Sequence, residues 1–524
     1  MTESFITQHA PALLIAVPLF MAFMMPLIGR INTPLRSFWA VAGVLITSWI
    51  GLSLAWHVFT TGTVYYVFGA AASHLAIPAD SGGIPIRIIF EVDKMSALMV
   101  VIVAVVSLAV MLFSLSSKSN SSGLEGFYAL LFLLFVGVYG MVCTGDLFNF
   151  FVFLEISSLA GSALVAYRID KGYAVEAALK YALLSTIGSL CVLFAIGILF
   201  AQYNALNLAT LASRIQFTTL DKLALVLLVV PLAMKCGAVP MHFWTPDAYS
   251  VAPSSVTAML VVSSQASLYG LFRILFSLYG TALNCVTFGW IVIILGVLSM
   301  FVGVTMAIPQ KDVKRLMAYH AVSQTGYMLL GVGVGLAVLG DPARLKEFGL
   351  TAIGGGLFHI INHAMYKGLL FLTAGVVFYR IGTRNLNKMG GLGHSMPWTM
   401  VFFMIGALAI AGIPPFNGFA SKLMIYESVF RFSPFLSIIA MVVSILTLAS
   451  FVKVFHSIFM GAPKAEFKDV KEAPLPMLLG MGILAVVVVG FGLFPYKVID
   501  SMIMPAVTAL VDRSAYIATI LGGP

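Results

Sequence analysis

Charged residues are scarce in this chain. Of its 524 residues, 9% are Asp, Glu, Lys or Arg, whereas 60% are hydrophobic. Soluble domains carry about 25% charged residues, so this composition excludes an ordinary water-soluble domain. Apolar stretches that approach about 20 residues, the length that crosses a bilayer, recur along the sequence, for example at 98–115 and 286–306. The composition therefore indicates an integral membrane protein.

Motifs that would bind a cofactor or a metal are also lacking. The sequence has neither a Gly-x-Gly-x-x-Gly motif after a strand nor a P-loop, so we expect no nucleotide, haem or flavin site. Its cysteines occur singly, without a Cys-x-x-Cys pair, which argues against a disulfide framework, a zinc site or an iron–sulfur cluster. They are Cys143, Cys191, Cys236 and Cys285. Redox chemistry or ATP energy would have to come from partner subunits.

Loop signals and charges divide the apolar sequence into about fourteen predicted spans. The predicted fold class is an all-α polytopic membrane protein. The tail 500–521 is apolar too, and is either a further span or an interfacial helix. The predicted spans are 11–29, 38–58, 95–115, 127–144, 146–168, 175–203, 222–249, 252–279, 285–308, 313–338, 350–379, 398–430, 434–460 and 475–495.

The cationic residues of the loops predict an orientation. Loops after odd-numbered spans hold about twice as many Lys and Arg residues as loops after even-numbered spans, and the positive-inside rule places such loops in the cytoplasm. We therefore expect a multi-pass protein of the prokaryotic cytoplasmic (inner) membrane with its N-terminus outside. The net charge of +9 is explained by loop cations beside anionic lipid, and we expect no nucleic-acid partner.

Two opposite charges fall within predicted spans. Glu155 lies near the middle of span five and Lys235 lies in span seven. A charge at that depth costs a few kcal/mol or more unless it is paired, hydrated or neutralised. Together the two residues can form an acid–base pair in which each group changes the proton affinity of the other. The alternative is a static ion pair that only holds helices together.

Prolines interrupt two predicted spans beside lysines. Pro240 follows Lys235 in span seven, and Pro414-Pro415 precedes Lys422 in span twelve. Helices broken at membrane depth survive where protein or water satisfies the freed backbone groups. Broken helices at corresponding positions of two halves are typical of inverted-repeat transporters. The halves would be spans four to eight and nine to thirteen, each a five-helix repeat, with helices 7 and 12 broken.

Span eleven carries a polar stripe. His359, His363 and Lys367 are spaced four residues apart, so they lie on one face of a helix. Histidine titrates near neutrality and is suited to passing protons through water. Zinc binding is not expected, because neither Cys nor a carboxylate completes a ligand set nearby. A satisfied core histidine is the alternative interpretation.

At these motifs the chain resembles the antiporter-like subunits shared by respiratory complex I, Mrp-type Na⁺/H⁺ antiporters and membrane-bound hydrogenases. The resemblance extends from about residue 90 to about residue 460. Within the family, the motifs of spans five and ten look most like those of the D-type Mrp subunits and of the hydrogenase subunits. The matching segments are 145–155, 235–248, 252–258, 312–327, 358–367 and 412–422.

The resemblance implies a division of the chain and a role for each buried charge. The implied parts are 1–120 (helices 1–3), 121–280 (first repeat), 281–460 (second repeat) and 461–524 (helix 14 and tail). Glu155 would pair with Lys235 and control its proton affinity, His359 and His363 would carry ions centrally, and Lys422 would be the exit-side group. Secondary or hydrating positions would be Asp146, His242, Gln265, Ser267, His320 and Lys367.

One departure from the family pattern leaves alternatives open. Family members commonly carry a lysine in span eight, where this chain has Gln265. Glutamine can hydrogen-bond water but cannot hold a cationic proton. The resemblance and the buried charges together predict a proton- or Na⁺/H⁺-translocating subunit of a multi-subunit complex that is not catalytic by itself. A non-conducting bracing subunit is the alternative, and a quinone-handling membrane enzyme is a third hypothesis.

Overall fold

The structure is a computed structural model that describes residues 5–68, 88–116, 123–462, 464–467 and 469–521. Three of the loop cations used to predict the orientation, Arg87, Lys118 and Lys468, lie outside these residues.

Helices make up most of the described chain. The helices before the middle of the sequence are α1 (Phe5–Gly29), α2 (Thr33–Thr61), α3 (Lys94–Ser114), α4 (Leu124–Cys143), α5 (Leu147–Val165), α6 (Gly172–Tyr203), α7 (Leu208–Arg214), α8 (Thr219–Lys235), α9 (Trp244–Val251) and α10 (Ser254–Phe272). Helix α10 continues as a π-helix over Arg273–Tyr279 and a 3₁₀ turn over Gly280–Ala282.

The second set follows the same alternation of long and interrupted helices. Its members are α11 (Cys285–Ala307), α12 (Val313–Ala337), α13 (Pro342–Arg344), α14 (Leu350–Ile381), α15 (Pro397–Ala411), α16 (Asn417–Phe432), α17 (Pro434–Phe459), α18 (Leu475–Leu493), α19 (Pro495–Val498), α20 (Met504–Val511) and α21 (Arg513–Leu521). A π-helical turn, Leu345–Gly349, joins α13 to α14, and another, Ile499–Ile503, joins α19 to α20; 3₁₀ turns cover Leu386–Lys388 and Ala465–Phe467.

Eleven helical segments within the described ranges are long and apolar enough to cross a membrane. The prediction of a polytopic helical membrane protein is therefore confirmed. In the segments Ser254–Ala282 and Pro342–Ile381, 94% of the most apolar window is buried, whereas the value for α6, α11 and α17 is 39%. Protein therefore surrounds α10 and α14, and the peripheral helices turn apolar side chains toward lipid. Polar side chains on the central helices face other protein groups.

The polar-rich central helix α12 packs closely against α11 because of glycines. Helix α12 is buried along almost its whole length and crosses α11 where Gly296 meets Gly326. A Cβ atom at Gly296 would lie 2.9 Å from the carbonyl oxygen of Gly326, and one at Gly326 would lie 2.4 Å from the carbonyl oxygen of Gly296. Small residues let helices approach this closely in membranes. The contact fixes α12 against α11.

A short β-hairpin adds to the predicted all-α architecture. Strand β1 (Val64–Val67) pairs antiparallel with β2 (Ile89–Val92), with Val64 opposite Val92. Strands of four residues carry too short an alternation to be recognised among apolar helices. The tail 500–521 comprises the end of the π-helical turn Ile499–Ile503, α20 and α21, and none of these pieces is long enough to cross a bilayer.

Candidate functional site

The first interrupted helix ends at Lys235. Helix α8 stops there, Gly237 adopts φ +78°, and the Val239–Pro240 peptide bond is cis before α9 begins. Side chains of neighbouring helices satisfy the backbone groups that the break frees. Ser299 Oγ accepts from Val239 N at 2.9 Å, and Trp244 Nε1 donates to the Met234 carbonyl at 2.9 Å. The break is therefore a fixed feature that positions Lys235 inside the protein.

Lys235 contacts helix α5 through a serine. Its side chain is 5% exposed, and its Nζ donates a hydrogen bond to Ser158 Oγ. Glu155 lies one turn before Ser158 on α5 and interacts with Lys235 through space. Among the described residues, however, no ion pair within 4.0 Å joins Glu155 to Lys235, and the buried Oε1 atom of Glu155 has no hydrogen-bond partner. The structure thus brings the predicted pair together without a direct contact.

Lys422 lies beside the second helix break, on the helix that follows it. Helix α15 ends at Ala411, Gly412 adopts φ +77°, and the cis Pro414–Pro415 bond precedes α16. Lys422 is 1% exposed, and its Nζ donates to the Ile410 carbonyl at 2.7 Å and to Ser444 Oγ at 2.9 Å. A cation at the C-terminal end of a helix is stabilised by the helix dipole and by the free carbonyls. The amine of Lys422 therefore caps the broken end of α15.

His363 on α14 is joined to Gln265 on α10. The Nε2 amide of Gln265 lies 2.6 Å from His363 Nδ1 and donates to the Ile360 carbonyl at 3.0 Å. Because both amide hydrogens are engaged, Gln265 Oε1 is left as an acceptor. His363 Nδ1 acts as an acceptor, so the neutral ring carries its proton on Nε2. The pair presents one acceptor and one donor to its surroundings.

His359 is joined to α12 and α16. Its Nδ1 lies 3.0 Å from Ser421 Oγ, next to Lys422 in sequence, and its Nε2 lies 3.1 Å from Gln324 Oε1. The Tyr366 hydroxyl lies 3.2 Å from the same Nε2 atom. His359 is fully buried. The stripe predicted on span eleven therefore extends through hydrogen bonds to the helix that carries Lys422.

A small cavity lies between the first break and the stripe. Its volume is about 10 Å³, which is close to the space that one water requires. Three polar atoms of its lining residues, Thr245 Oγ1, Gln265 Oε1 and His363 Nε2, are buried without a hydrogen-bond partner within the described part of the chain. Buried polar atoms are nearly always hydrogen-bonded to protein or to ordered water. The cavity has the size and the polarity to bind one water.

The remaining residue of the stripe faces α12. Lys367 is fully buried, its Nζ donates to the Met317 carbonyl at 2.6 Å, and it lies 5.6 Å from the ring centroid of Phe371 and 5.8 Å from that of Phe451. Aromatic faces stabilise a desolvated cation. A carbonyl and two rings thus hold Lys367 in place. The name row is used for the following buried polar residues and their hydrogen-bond partners: Lys235, Gln265, His363, His359 and Lys422.

The secondary positions have different surroundings. Asp146 caps α5 by accepting from Asn149 N at 2.8 Å, and Ser267 donates to the Ser263 carbonyl of its own helix at 3.3 Å. His242 stacks on Phe243, and His320 packs against Phe451. Within the part of the chain that the structure describes, three ring nitrogens are buried without a hydrogen-bond partner: both nitrogens of His320 and the Nδ1 of His242. Asp146 and Ser267 thus bond within their own helices, and the two histidines pack against aromatic rings.

Several residues of the row were not predicted from the sequence. Serine and tyrosine are common in helices, and their alignment depends on which helices become neighbours. Gln324 and Tyr327 lie in the segment 312–327 that carried the resemblance. Tyr366 lies in 358–367 and Ser421 in 412–422, so these four residues had a weak signal. The residues that the structure adds are Ser158, Gln324, Tyr327, Tyr366, Ser421 and Ser444.

The fold and the row define a polytopic helical membrane protein whose buried charges lie at helix breaks. Residues 144–447 match the family described as NADH:quinone oxidoreductase/Mrp antiporter, TM, and residues 79–116 match NADH-Ubiquinone oxidoreductase (complex I), chain 5 N-terminus. The chain belongs to this family of antiporter-like membrane subunits, as the sequence resemblance predicted.

Relatives from different complexes are similar over much of their length. The chain is 32% identical to the N subunit of the NADH-quinone oxidoreductase of Desulforudis audaxviator over 526 residues, which cover 95% of this chain and 99% of that protein. It is 32% identical to the D-type component of the Na(+)/H(+) antiporter of Alkalihalophilus pseudofirmus over 393 residues, 74% and 76% of the two chains. A chain in the structure of the Mrp complex from Dietzia sp. DQ12-45-1b superimposes with a TM-score of 0.86 at 25% identity, covering 99% of this chain and all of that chain.

Proposed function

We propose that this chain translocates protons as one subunit of a multi-subunit membrane complex. The observation that carries the proposal is a pair of lysines, each buried beside a helix break, in a protein whose central helix α14 carries the buried polar residues His359 and His363. Lys235 and Lys422 are 5% and 1% exposed. Ionisable groups inside a membrane protein are costly and are usually functional. A structural core would not require two such groups in series.

The proposed path has four stations. A proton leaves Lys235, crosses the cavity to His363, passes along the His359 side chain and its partners, and reaches Lys422 beside Ser421. The hydrogen bonds of His359 to Ser421 at 3.0 Å and to Gln324 at 3.1 Å support the later part. The cavity of about 10 Å³ supports the earlier part, because it can hold one water as a carrier.

Protons fit this row better than Na⁺. Hard cations such as Ca²⁺ and Mg²⁺ take six or more oxygen ligands, and Na⁺ shares this preference for oxygen. The row instead offers imidazole and amine nitrogens that take up and release protons. A cavity that holds one water also leaves no room for a hydrated Na⁺ ion. Sodium transport by a complex that contains this chain would then use another route.

Glu155 is the proposed control element. Its carboxylate acts on Lys235 across Ser158, so a movement of α5 relative to α8 changes how strongly Lys235 holds its proton. An event in a neighbouring subunit that shifts Glu155 would start the transfer. This coupling requires no cofactor in the chain itself.

The architecture is proposed to comprise about fourteen spans in two inverted five-helix repeats. Three additions to the eleven apolar segments support this number: α12, whose polar residues lower its hydropathy, and the interrupted pairs α8/α9 and α15/α16. Each interrupted pair would be the fourth member of its repeat, within 121–280 and 281–460 respectively. Both sets have their helix break in the fourth member, with a buried lysine beside it, which supports this division.

The partners are proposed to be other membrane subunits. The relatives are named as subunits of an NADH-quinone oxidoreductase and of a Na(+)/H(+) antiporter, so redox chemistry or antiport in a neighbouring subunit would supply the energy. The location would be the prokaryotic inner membrane with the N-terminus outside.

A bracing role is the second candidate function. It is favoured by Gln265, whose amide hydrogens are both engaged in fixed hydrogen bonds between α10 and α14. A bracing subunit would hold these helices together without conducting.

Replacing each lysine by methionine in the intact complex distinguishes the two functions. We expect Lys235→Met and Lys422→Met to abolish proton transport into proteoliposomes while the complex still assembles. Lys346→Met, which removes an exposed lysine, is the matched control and should transport normally. Normal transport by both buried-lysine variants would refute conduction and support bracing.

A further inference from the structure

A cavity of about 540 Å³ lies between β2 and the C-terminal helices α20 and α21. None of the described residues that line it belongs to the row. Its volume falls within the range of about 300–1,000 Å³ that is usual for small-molecule sites. The hairpin and the C-terminal helices both follow even-numbered predicted spans, so the proposed orientation places the cavity at the outer face of the membrane. The space is therefore large enough for a ligand that comes from that side.

Glu91 is the unusual member of the cavity wall. It is 3% exposed, and both of its carboxyl oxygens are buried without a hydrogen-bond partner of good geometry among the described residues, although the Tyr516 side chain lies beside them. Backbone fills the space on another side, because a Cβ atom at Gly145 would lie 3.1 Å from Glu91 Oε2. A buried carboxylate without partners is costly. The cavity is the open side from which a partner can reach this group.

The cation closest to hand does not serve Glu91. Arg273 acts on Glu91 through space, but its guanidinium forms a buried ion pair with Asp93 instead. Within the described ranges, no ion pair within 4.0 Å includes Glu91. All three guanidinium nitrogens are bonded to groups other than Glu91, namely those of Asp93, Ser96, Tyr269 and Ser277. Glu91 is thus a buried carboxylate without a counter-ion of its own.

The other charges of the cavity favour a cationic ligand. Outside the Asp93–Arg273 pair, the lining holds three carboxylates and one lysine, and such an excess of one sign attracts the opposite sign. The titratable or charged groups that face Glu91 or line the same cavity are Tyr65, Asp93, Lys94, Arg273, Asp500, Asp512 and Tyr516. Burial and, to a lesser extent, Asp93 raise the pKa of Glu91 to about 8, against the opposing effects of Arg273 and Tyr516. A cation bound beside Glu91 would displace its proton.

The unpaired oxygens of Glu91 select the kind of cation. A carboxylate only accepts hydrogen bonds, and a primary ammonium group has three N–H donors. A quaternary ammonium group has none. A hard metal ion takes six or more oxygen ligands, and no group of three or more His, Cys, Asp or Glu residues is placed to hold a metal in the part of the chain that the structure describes. Met504, Pro505 and Ala509 give the lining an apolar portion that can cover carbon atoms.

We propose that the cavity beside β2 binds the primary ammonium group of an organic molecule, with Glu91 as its counter-ion. The ammonium group could belong to a free amine in the outer medium or to the ethanolamine headgroup of a lipid. Lys94 also lines the cavity and offers a partner for the phosphate of such a headgroup. On binding, the proton of Glu91 passes to water and the ammonium donates to the carboxylate. The inference does not rest on the proposed function, because no proton needs to reach the row.

The first experiment measures the binding of a free amine to the intact purified complex by calorimetry. Ethanolamine and choline are the probes, since they differ in the three N–H donors of the ammonium group. We expect ethanolamine to bind about tenfold more tightly than choline, and Glu91→Gln to weaken ethanolamine by about tenfold, as for the loss of a charge-assisted hydrogen bond. Glu427→Gln, which makes the same change at an exposed glutamate on α16, is the matched control and should bind as wild type does.

The second experiment identifies a lipid source. The complex is reconstituted with equal amounts of phosphatidylethanolamine and phosphatidylcholine, and the lipids it retains are measured by native mass spectrometry. Retention of phosphatidylethanolamine in excess, lost in Glu91→Gln and kept in Glu427→Gln, would assign the site to a headgroup. Ethanolamine binding without such an excess would assign it to a free amine. If neither probe is preferred over its choline counterpart, or if Glu91→Gln leaves both preferences unchanged, the proposal is wrong.

A pH series on the wild-type complex decides the question if Glu91→Gln does not assemble. The ammonium group has to displace a proton from Glu91 below the pKa of about 8 and meets the carboxylate directly above it. Binding of the preferred probe should therefore tighten about fiftyfold between pH 6 and pH 8 and level off above. Equal affinity across this range would overturn the role of Glu91.

Discussion

A small enlargement of the side chain at Ala321 should block the proposed path at the cavity between the first helix break and His363. Ala321 lines the cavity of about 10 Å³ that also touches Thr245, Gln265 and His363. Valine at this position adds two methyl groups, which exceed the space for one water. The three unpaired polar atoms of these neighbours would then lose their route to a water partner. We therefore expect Ala321→Val to interrupt proton transfer between Lys235 and His363.

The expected magnitude follows from the cost of an unmade hydrogen bond. Leaving one buried donor or acceptor unpaired costs about 1–3 kcal/mol. If the transfer barrier rises by the same amount, the rate falls by about 5- to 150-fold, since about 1.4 kcal/mol corresponds to a factor of ten. Overpacking itself costs about 1–3 kcal/mol of stability, so assembly of the complex has to be measured alongside transport.

Threonine at the same position is the matched control. It has nearly the shape of valine but carries a hydroxyl that can take the place of the water. The assay is proton uptake by proteoliposomes that contain the whole complex, with assembly checked by native gel electrophoresis. We expect Ala321→Thr to transport faster than Ala321→Val at equal assembly. Wild-type transport by the valine variant would refute the reasoning that protons cross this cavity.

Three further perturbations test other parts of the account. Gly412→Ala should destabilise the complex by about 1–2 kcal/mol, because Gly412 has a φ of +77° and a Cβ atom there would lie 2.9 Å from Lys422 Cδ. The control is Gly490→Ala, which has open space around the added Cβ atom and should not lower the melting temperature. Ser158→Ala should slow transport, because it removes the hydrogen-bond partner of a buried amine, and normal transport would show that Ser158 is dispensable. Burial raises the pKa of Glu91, on β2, from 4.5 to about 8 in the folded state. Between pH 4.5 and about 8 the folded state therefore holds a proton on Glu91 that the unfolded chain has lost. The free energy of unfolding should then fall as pH rises through this window. Glu91→Gln should remove that part of the decline in thermal unfolding, and an unchanged pH dependence would argue against the raised pKa.

The helix breaks could be predicted from the sequence because proline and glycine act locally. Pro240 and Pro414-Pro415 marked the interruptions after Lys235 and before Lys422, and the structure has α8 and α15 ending close to these positions. The stripe on span eleven also followed from a local spacing, since residues four apart share a helix face. The resemblance to the family added the expectation of a connected row.

The contacts between helices could not be predicted in the same way. Lys235 bonds to Ser158 rather than directly to Glu155, which depends on how α5 rotates against α8. The same holds for His359, whose partners Ser421 and Gln324 come from two other helices. The hairpin and the divided C-terminal tail carry too few patterned residues to be recognised in an apolar sequence. Side-chain partners of this kind are set by packing, and single-sequence periodicity does not contain them.

A high-resolution cryo-EM map of the intact complex tests the central claim most directly, because the claim is that a continuous polar path joins Lys235 to Lys422. The account predicts an ordered water between Thr245 Oγ1, Gln265 Oε1 and His363 Nε2, in the cavity of about 10 Å³. A map in which this space is closed by side chains, with these atoms bonded to protein groups instead, would contradict it.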